Sequence, residues 1–290
     1  MRQDFAVLIL THGRADKVVT LKNVLKAGHY TGRWYMVLDN EDEQAADYMN
    51  RYGNDHVVIF DKQAVDDWTD TADTFHEHRA ILYARNQSFN IARDLGLKYF
   101  LMFDDDYTGL DHRYIEHGKL KAKKCVQLDR LFTDMVEFLE STGALTVAFC
   151  QAGDFIGGVK GKRFNEKVVR KAMNSFFCRT DRPFQFVGTM NEDVTMYTTL
   201  GSRGALIMSI TDCAIIQAAT QKTKGGMSEA YADGGTFLKS FYSVMSMPSA
   251  VKVSMLNSSH KRIHHKINWT CCVPKIINEK YRKGRNDERE

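Results

Sequence analysis

The chain has 290 residues, 43% hydrophobic and 26% charged, with 40 Lys and Arg against 36 Asp and Glu for a formal net charge of +4. That balance belongs to a globular chain able to bury a sizeable core, and it excludes wholesale disorder. No apolar run approaches the roughly 20 residues a bilayer-spanning helix needs, so no membrane partner is expected.

The first ~105 residues alternate apolar strands with amphipathic helical stretches, the pattern of successive βαβ units. Phe5–Leu10 reads as a strand, followed by a helix over 15–27 with Val18, Leu21, Val24 and Leu25 at helical spacing. The opening apolar run is too short for a signal peptide, so a cytoplasmic location is expected. Trp34–Leu38 is the second strand, running into the polar Asp39-Asn40-Glu41-Asp42; a short helix over 43–52 and a strand over 56–60 follow. The aspartate-rich 61–78 reads as a loop or short helices, and 79–95 as a helix stopped by Gly96. The next strand, 98–103, is apolar on both faces, as expected at the centre of a covered sheet. It ends in Asp104-Asp105-Asp106.

The second half reads as α+β: a helix over 125–142, a strand over 145–149, a glycine-rich loop over 153–161, and strands over 184–187 and 206–210. No linker or repeat divides the chain. The expected organisation is a single domain over 1–278, with halves 1–106 and 107–278, and a charged tail over 279–290. Six cysteines without a C-x-x-C pair are expected as reduced, mostly buried thiols rather than a structural zinc site.

In an open α/β sheet, ligands bind beyond the carboxyl ends of the strands. Three carboxylates there repel one another unless a divalent cation and a diphosphate share the site, and oxygen-rich ligation suits Mn2+ or Mg2+. A solvated acidic turn is the alternative. Asp193 beside Glu192 is a second acidic pair, whose carboxylates are candidates for general-base work. Helix capping by Asn191-Glu192-Asp193 is the structural alternative.

The Asp-x-Asp after a buried strand, with the preceding Arg85-Asn86-x-x-x-Asn90-x-Ala92 helix and the later Asn191-Glu192-Asp193, resembles the GT-A glycosyltransferases. Among these the chain is most similar to the phage DNA-base enzymes that decorate 5-hydroxymethylcytosine, the TET-associated group and its relatives. The resemblance implies an α/β/α sandwich of Rossmann-like GT-A type with a mostly parallel central sheet, whose first half binds the nucleotide sugar and whose second half, α+β, binds the acceptor. It implies a UDP-sugar donor held by Thr11, His12, Gly13, Arg14, Asp39, Arg85, Asp104 and Asp105. It further implies a metal on Asp106 and Asp104 with a C-terminal histidine, His264 or His260. The acceptor would be DNA carrying 5-hydroxymethylcytosine, in the host cytoplasm if the chain is phage-encoded.

Basic residues cluster in the second half, and Lys121, Lys123, Lys160, Lys162 and Arg163 are the expected DNA contacts. Phe155, Phe164, Phe176, Phe177 and Trp269 are candidates to stack on an extruded base. A glycan or small-molecule acceptor, or nucleotidyl transfer, remain alternatives.

Overall fold

The computed structural model describes residues 1–72, 80–166, 168–217, 227–257, 261–273, 276 and 278–279, without the side chains at 162–163, 227–236, 256–257 and 261–262. The chain runs β1 (Phe5–Leu10), β2 (Arg33–Asp39), α1 (Ala45–Tyr52), β3 (Val57–Phe60), α2 (Lys62–Asp66), α3 (Leu82–Asp94), β4 (Tyr99–Asp104), β5 (Tyr107–Glu116) and β6 (Lys119–Lys124). Then follow α4 (Leu128–Thr142), β7 (Thr146–Gln151), α5 (Lys162–Glu166), β8 (Val168–Val169), β9 (Ser175–Arg179), α6 (Glu192–Ser202), β10 (Ile207–Gln217), α7 (Met227–Ser246), β11 (Val251–Asn257), β12 (Lys261–Ile267) and α8 (Trp269–Cys272).

Ten strands form one sheet in the order β3-β2-β1-β4-β9-β7-β10-β5-β6, with β8 beside β10. β1 to β4 are mutually parallel, β7 and β10 run the same way, and β9, β5 and β8 run against them, so the sheet is mostly parallel. This is the expected α/β sandwich, and the sheet is continuous through both halves of the chain.

Period-two alternation splits the strands between two cores. Phe5, Val7 and Ile9 of β1 and Tyr99, Leu101 and Phe103 of β4 pack with Leu128, Phe132, Met135, Val136 and Leu139 of α4. Ala6, Leu8, Leu10, Phe100 and Met102 face the other way, onto Leu82, Phe89 and Ile91 of α3 and Val194 and Tyr197 of α6. Burial on both faces explains why these strands are continuously apolar.

Two expectations need correction. The helix over 15–27 shrinks to one wide turn at Leu21–Lys26, entered through helical Val19 and Thr20, whose N–H groups donate to the Asp105 carbonyl at 2.9 and 3.2 Å. Its apolar residues are buried all the same. Residues 184–187 are not a strand: Asn86 donates to the Phe186 carbonyl at 3.1 Å and accepts its N–H at 2.8 Å, doing with one side chain what a neighbouring strand would do. Of the loop or short helices expected over 61–78, the structure shows the short α2, whose N-cap Asp61 accepts from the Ala64 N–H at 3.1 Å. The β5–β6 hairpin and β9 were not anticipated.

Candidate active site

The sheet order 3-2-1-4 reverses at β1, the topology that opens a crevice beyond the strand ends. Leu10 is in register with both Val37 of β2 and Asp104 of β4, so Thr11, Asp39 and the acidic cluster come to one edge.

On the β1–β2 side, the His12 Nδ1 lies 2.8 Å from Asp39 Oδ2, and Gly13, at φ +63°, donates its N–H to Asp42 at 2.8 Å. This hydrogen bond to Asp39 raises the His12 pKa. Burial works to raise the Asp39 carboxyl, but His12 and Lys62 outweigh it and hold it below its usual range. Lys62, itself buried, reaches Asp39 and Glu41 at 3.2 Å each. Sequence inspection missed Lys62, and a lysine one residue after an N-cap aspartate carries no signal of burial.

The three aspartates separate. Asp104 and Asp106 are partly exposed, whereas Asp105 is 5% exposed and turned inward. Asp105 accepts from Thr11 Oγ1 at 2.7 Å and from Arg14 Nη1 at 3.1 Å. Since the single Thr11 hydroxyl proton goes to that carboxylate, Tyr48 donates in the 2.8 Å Tyr48–Thr11 bond, and Tyr48 also accepts the Arg14 N–H at 2.9 Å. Thr11, Arg14, Tyr48 and Asp105 thus brace the first loop against the acidic turn. Gln217, at the end of β10, donates to Asp106 at 3.3 Å.

Arg85 on α3 connects the two sides of the crevice. It is 3% exposed, donates to Asp104 Oδ1 at 3.3 Å and forms a short ion pair with Glu192 at the start of α6. Its guanidinium carbon sits 5.0 and 5.5 Å from the Phe176 and Phe186 ring centres. Burial opposes its charge, but Glu192, Asp104 and Asp193 more than compensate. The carboxylates respond in the opposite direction: burial pushes Glu192 up to about 7 and Asp104 up to about 6, with Arg85 working against each rise. Arg85 Nε is buried without a hydrogen-bond partner among the described residues.

Asp193 is buried beside Glu192, and its Oδ1 accepts the Val194 N–H at 2.7 Å. Asn191 occupies the N-cap position at φ +53° but makes no capping hydrogen bond; its amide reaches the Lys239 carbonyl of α7 at 2.5 Å. Of the α3 motif, Asn86 shapes the site by holding the 186 segment, while Asn90 pairs with Gln87 and Arg93 on the helix surface.

His264 lies on β12 of the separate β11–β12 hairpin, its ring 4.2 Å from that of His265. No group of three ligand residues including His264 or the strand-end aspartates converges among the described residues. His260 falls outside the described residues, and so do the side chains of Lys162 and Arg163. Lys121 and Lys123 are exposed on β6, and exposed Lys160 belongs to a turn packed against that strand. Lys171, also in the basic second half, is buried against Asp154 at 2.7 Å. The stacking candidates also need correction: Phe155, Phe164, Phe176 and Phe177 lie inside the cores, and partly buried Trp269 stacks on Tyr197 at 5.7 Å.

A model of the TET-associated glycosyltransferases matches residues 5–226, a span that includes the strand-end aspartates, Arg85 and the Glu192-Asp193 pair. The chain belongs to that family. It is therefore a glycosyltransferase, and nucleotidyl transfer drops out. A search of curated proteins finds no match. Similar solved structures include glucosyl-3-phosphoglycerate synthase from Mycobacterium tuberculosis in complex with Mg2+ and uridine diphosphate, at 11% identity over 91% of this chain and 88% of that one, with a TM-score of 0.46. Another is mannosyl-3-phosphoglycerate synthase from Rubrobacter xylanophilus, at 10% identity over 91% and 87%, with a TM-score of 0.45.

Proposed function

We propose that the chain transfers a sugar from a UDP-sugar to the hydroxymethyl group of 5-hydroxymethylcytosine in DNA, using Mn2+ or Mg2+. The observation that carries this reading is Arg85, which bridges Asp104 at the donor side and Glu192 at the acceptor side, so both sets of carboxylates border one space. Family membership supplies the reaction class.

The donor set fits a divalent cation. Asp104 and Asp106 are hard oxygen ligands, partly exposed, and their mutual repulsion contributes to raising the Asp104 carboxyl. A pair of carboxylates suits a metal that completes its shell with water and phosphate oxygens, with His264 or His260 as the C-terminal ligand. When bound, the cation would neutralise charge developing on the departing diphosphate.

The remaining roles belong to the chain's own groups. His12 and Asp39 face the nucleoside, with Gly13 allowing close backbone approach, while Thr11, Arg14 and Asp105 hold that loop in place. Arg85 belongs to the donor side, where its terminal nitrogens orient Asp104 and Glu192. Asp193 takes the acceptor proton, and Glu192 fixes Arg85. Lys121, Lys123 and Lys160 supply phosphate contacts for the duplex, joined by Lys162 and Arg163.

Incubation with 5-hydroxymethylcytosine DNA, Mn2+ and a panel of nucleotide sugars, followed by mass analysis of the nucleosides, tests the acceptor. Absence of any added sugar with every donor rejects it. Asp106→Ala should lower the rate at least about a hundredfold, the scale of losing a transition-state charge stabiliser; unchanged activity rejects the metal assignment.

A further inference from the structure

We propose that His112, Cys125 and Cys213 form a second metal site, taking one soft divalent cation of the zinc class, apart from the acidic strand-end cluster. The spacing of these residues in sequence gives no metal motif; the sheet assembles them. The antiparallel β5–β10 register sets Cys213 opposite His112, and Cys213 Sγ lies 3.3 Å from His112 Nδ1. Cys125 follows β6 and is placed by its N–H, which donates to the Leu110 carbonyl at 2.9 Å. The three ligand atoms all fall within 4.8 Å of one another.

Chemistry and burial select the cation. Two sulfurs and an imidazole suit zinc and its soft congeners rather than the Mn2+ or Mg2+ favoured by carboxylates. Both cysteines are 2% exposed, whereas His112 is exposed, so an ion can enter from the histidine side. Binding forms two metal–sulfur bonds and one metal–nitrogen bond and releases both thiol protons to solvent. The two thiolates then cancel the cation's charge, leaving a neutral buried centre with water in the fourth tetrahedral position.

Position gives the site a purpose. It ties β10 to β5 and to the exit of β6, and His112 is the register partner of Lys123. The cation would therefore anchor the root of the basic hairpin.

The test uses the full chain with Cys271→Ser, which removes the exposed thiol, stripped with chelator under reducing conditions and titrated with Cd2+ and Co2+. One equivalent should produce a thiolate-to-metal charge-transfer band, which the acidic cluster cannot give, and should protect two thiols from modification. Cys213→Ser should abolish the band. His112→Ala changes an exposed residue; with an unchanged circular dichroism spectrum, it should weaken Cd2+ binding at least about tenfold, the loss that even an outer-shell partner's removal causes. The site is rejected by the absence of a band at one equivalent, by a band that survives in folded Cys213→Ser, by unaltered affinity in His112→Ala, or by isolation of the reduced-purified protein with a Cys125–Cys213 disulfide. Should Cys213→Ser not fold, His112→Ala decides alone.

Discussion

Replacing Arg85 with methionine keeps most of the side-chain volume between Phe176 and Phe186 but removes the buried cation that touches both Asp104 and Glu192. Breaking such a pair typically costs about 3–5 kcal/mol, because buried carboxylates are left uncompensated. Here the carboxylates can escape by taking up protons, so the cost must depend on pH. In the wild type Glu192 ionises at about 7 and Asp104 at about 6; without Arg85 both rise further. The sign follows from linkage: a carboxyl raised in the folded state loses stability as pH climbs from its unfolded value to its folded value, and the variant extends that range upward. Between about pH 5.5 and pH 8 the variant should therefore lose about 2–4 kcal/mol more than the wild type, at about 1.4 kcal/mol per group per pH unit. Urea unfolding of both proteins in chelator-containing buffer at the two pH values measures this difference. An equal deficit at both values, or a deficit below about 1 kcal/mol at pH 8, would refute the charge coupling.

Asp39→Asn should return the His12 pKa toward about 6.5, measured by NMR titration. The stabilisation from this pair is present below that value and is lost as pH rises through the raised His12 pKa, so the variant should lack that decline. Converting Lys121, Lys123 and Lys160 together to glutamine should weaken DNA binding and shallow the logarithmic salt dependence by about 2–3, one phosphate contact each; an unchanged slope in filter-binding assays would remove this face from the proposal. A Cβ at Gly28 would lie 2.4 Å from Leu128 Cγ, so Gly28→Ala should destabilise the chain by about 1–3 kcal/mol in denaturant unfolding.

The β5–β6 hairpin shows a local signal that was present and overlooked. His117 and Gly118, at φ +49° and +71°, form the two-residue turn between alternating runs that hairpins favour, but the lysines on β6 disguised the alternation as a charge run. β9 had less to offer: five residues with paired phenylalanines between irregular segments look like any short apolar stretch.

What the sequence determined alone was the first half of the chain. Its parallel strands are apolar on both faces, and its acidic residues sit where such strands end, so periodicity and composition sufficed to find β1, β2, β4 and the carboxylate cluster that ends β4. Only the tertiary structure decided which aspartate faces the crevice, since Asp105 differs from its neighbours by being turned onto Thr11 and Arg14. The same holds for Arg85 meeting Glu192 across 107 positions of chain and for Cys213 meeting His112 across 101. Local pattern reports how a residue relates to its own strand or helix; a contact between distant segments depends on strand order and register, which no short window contains.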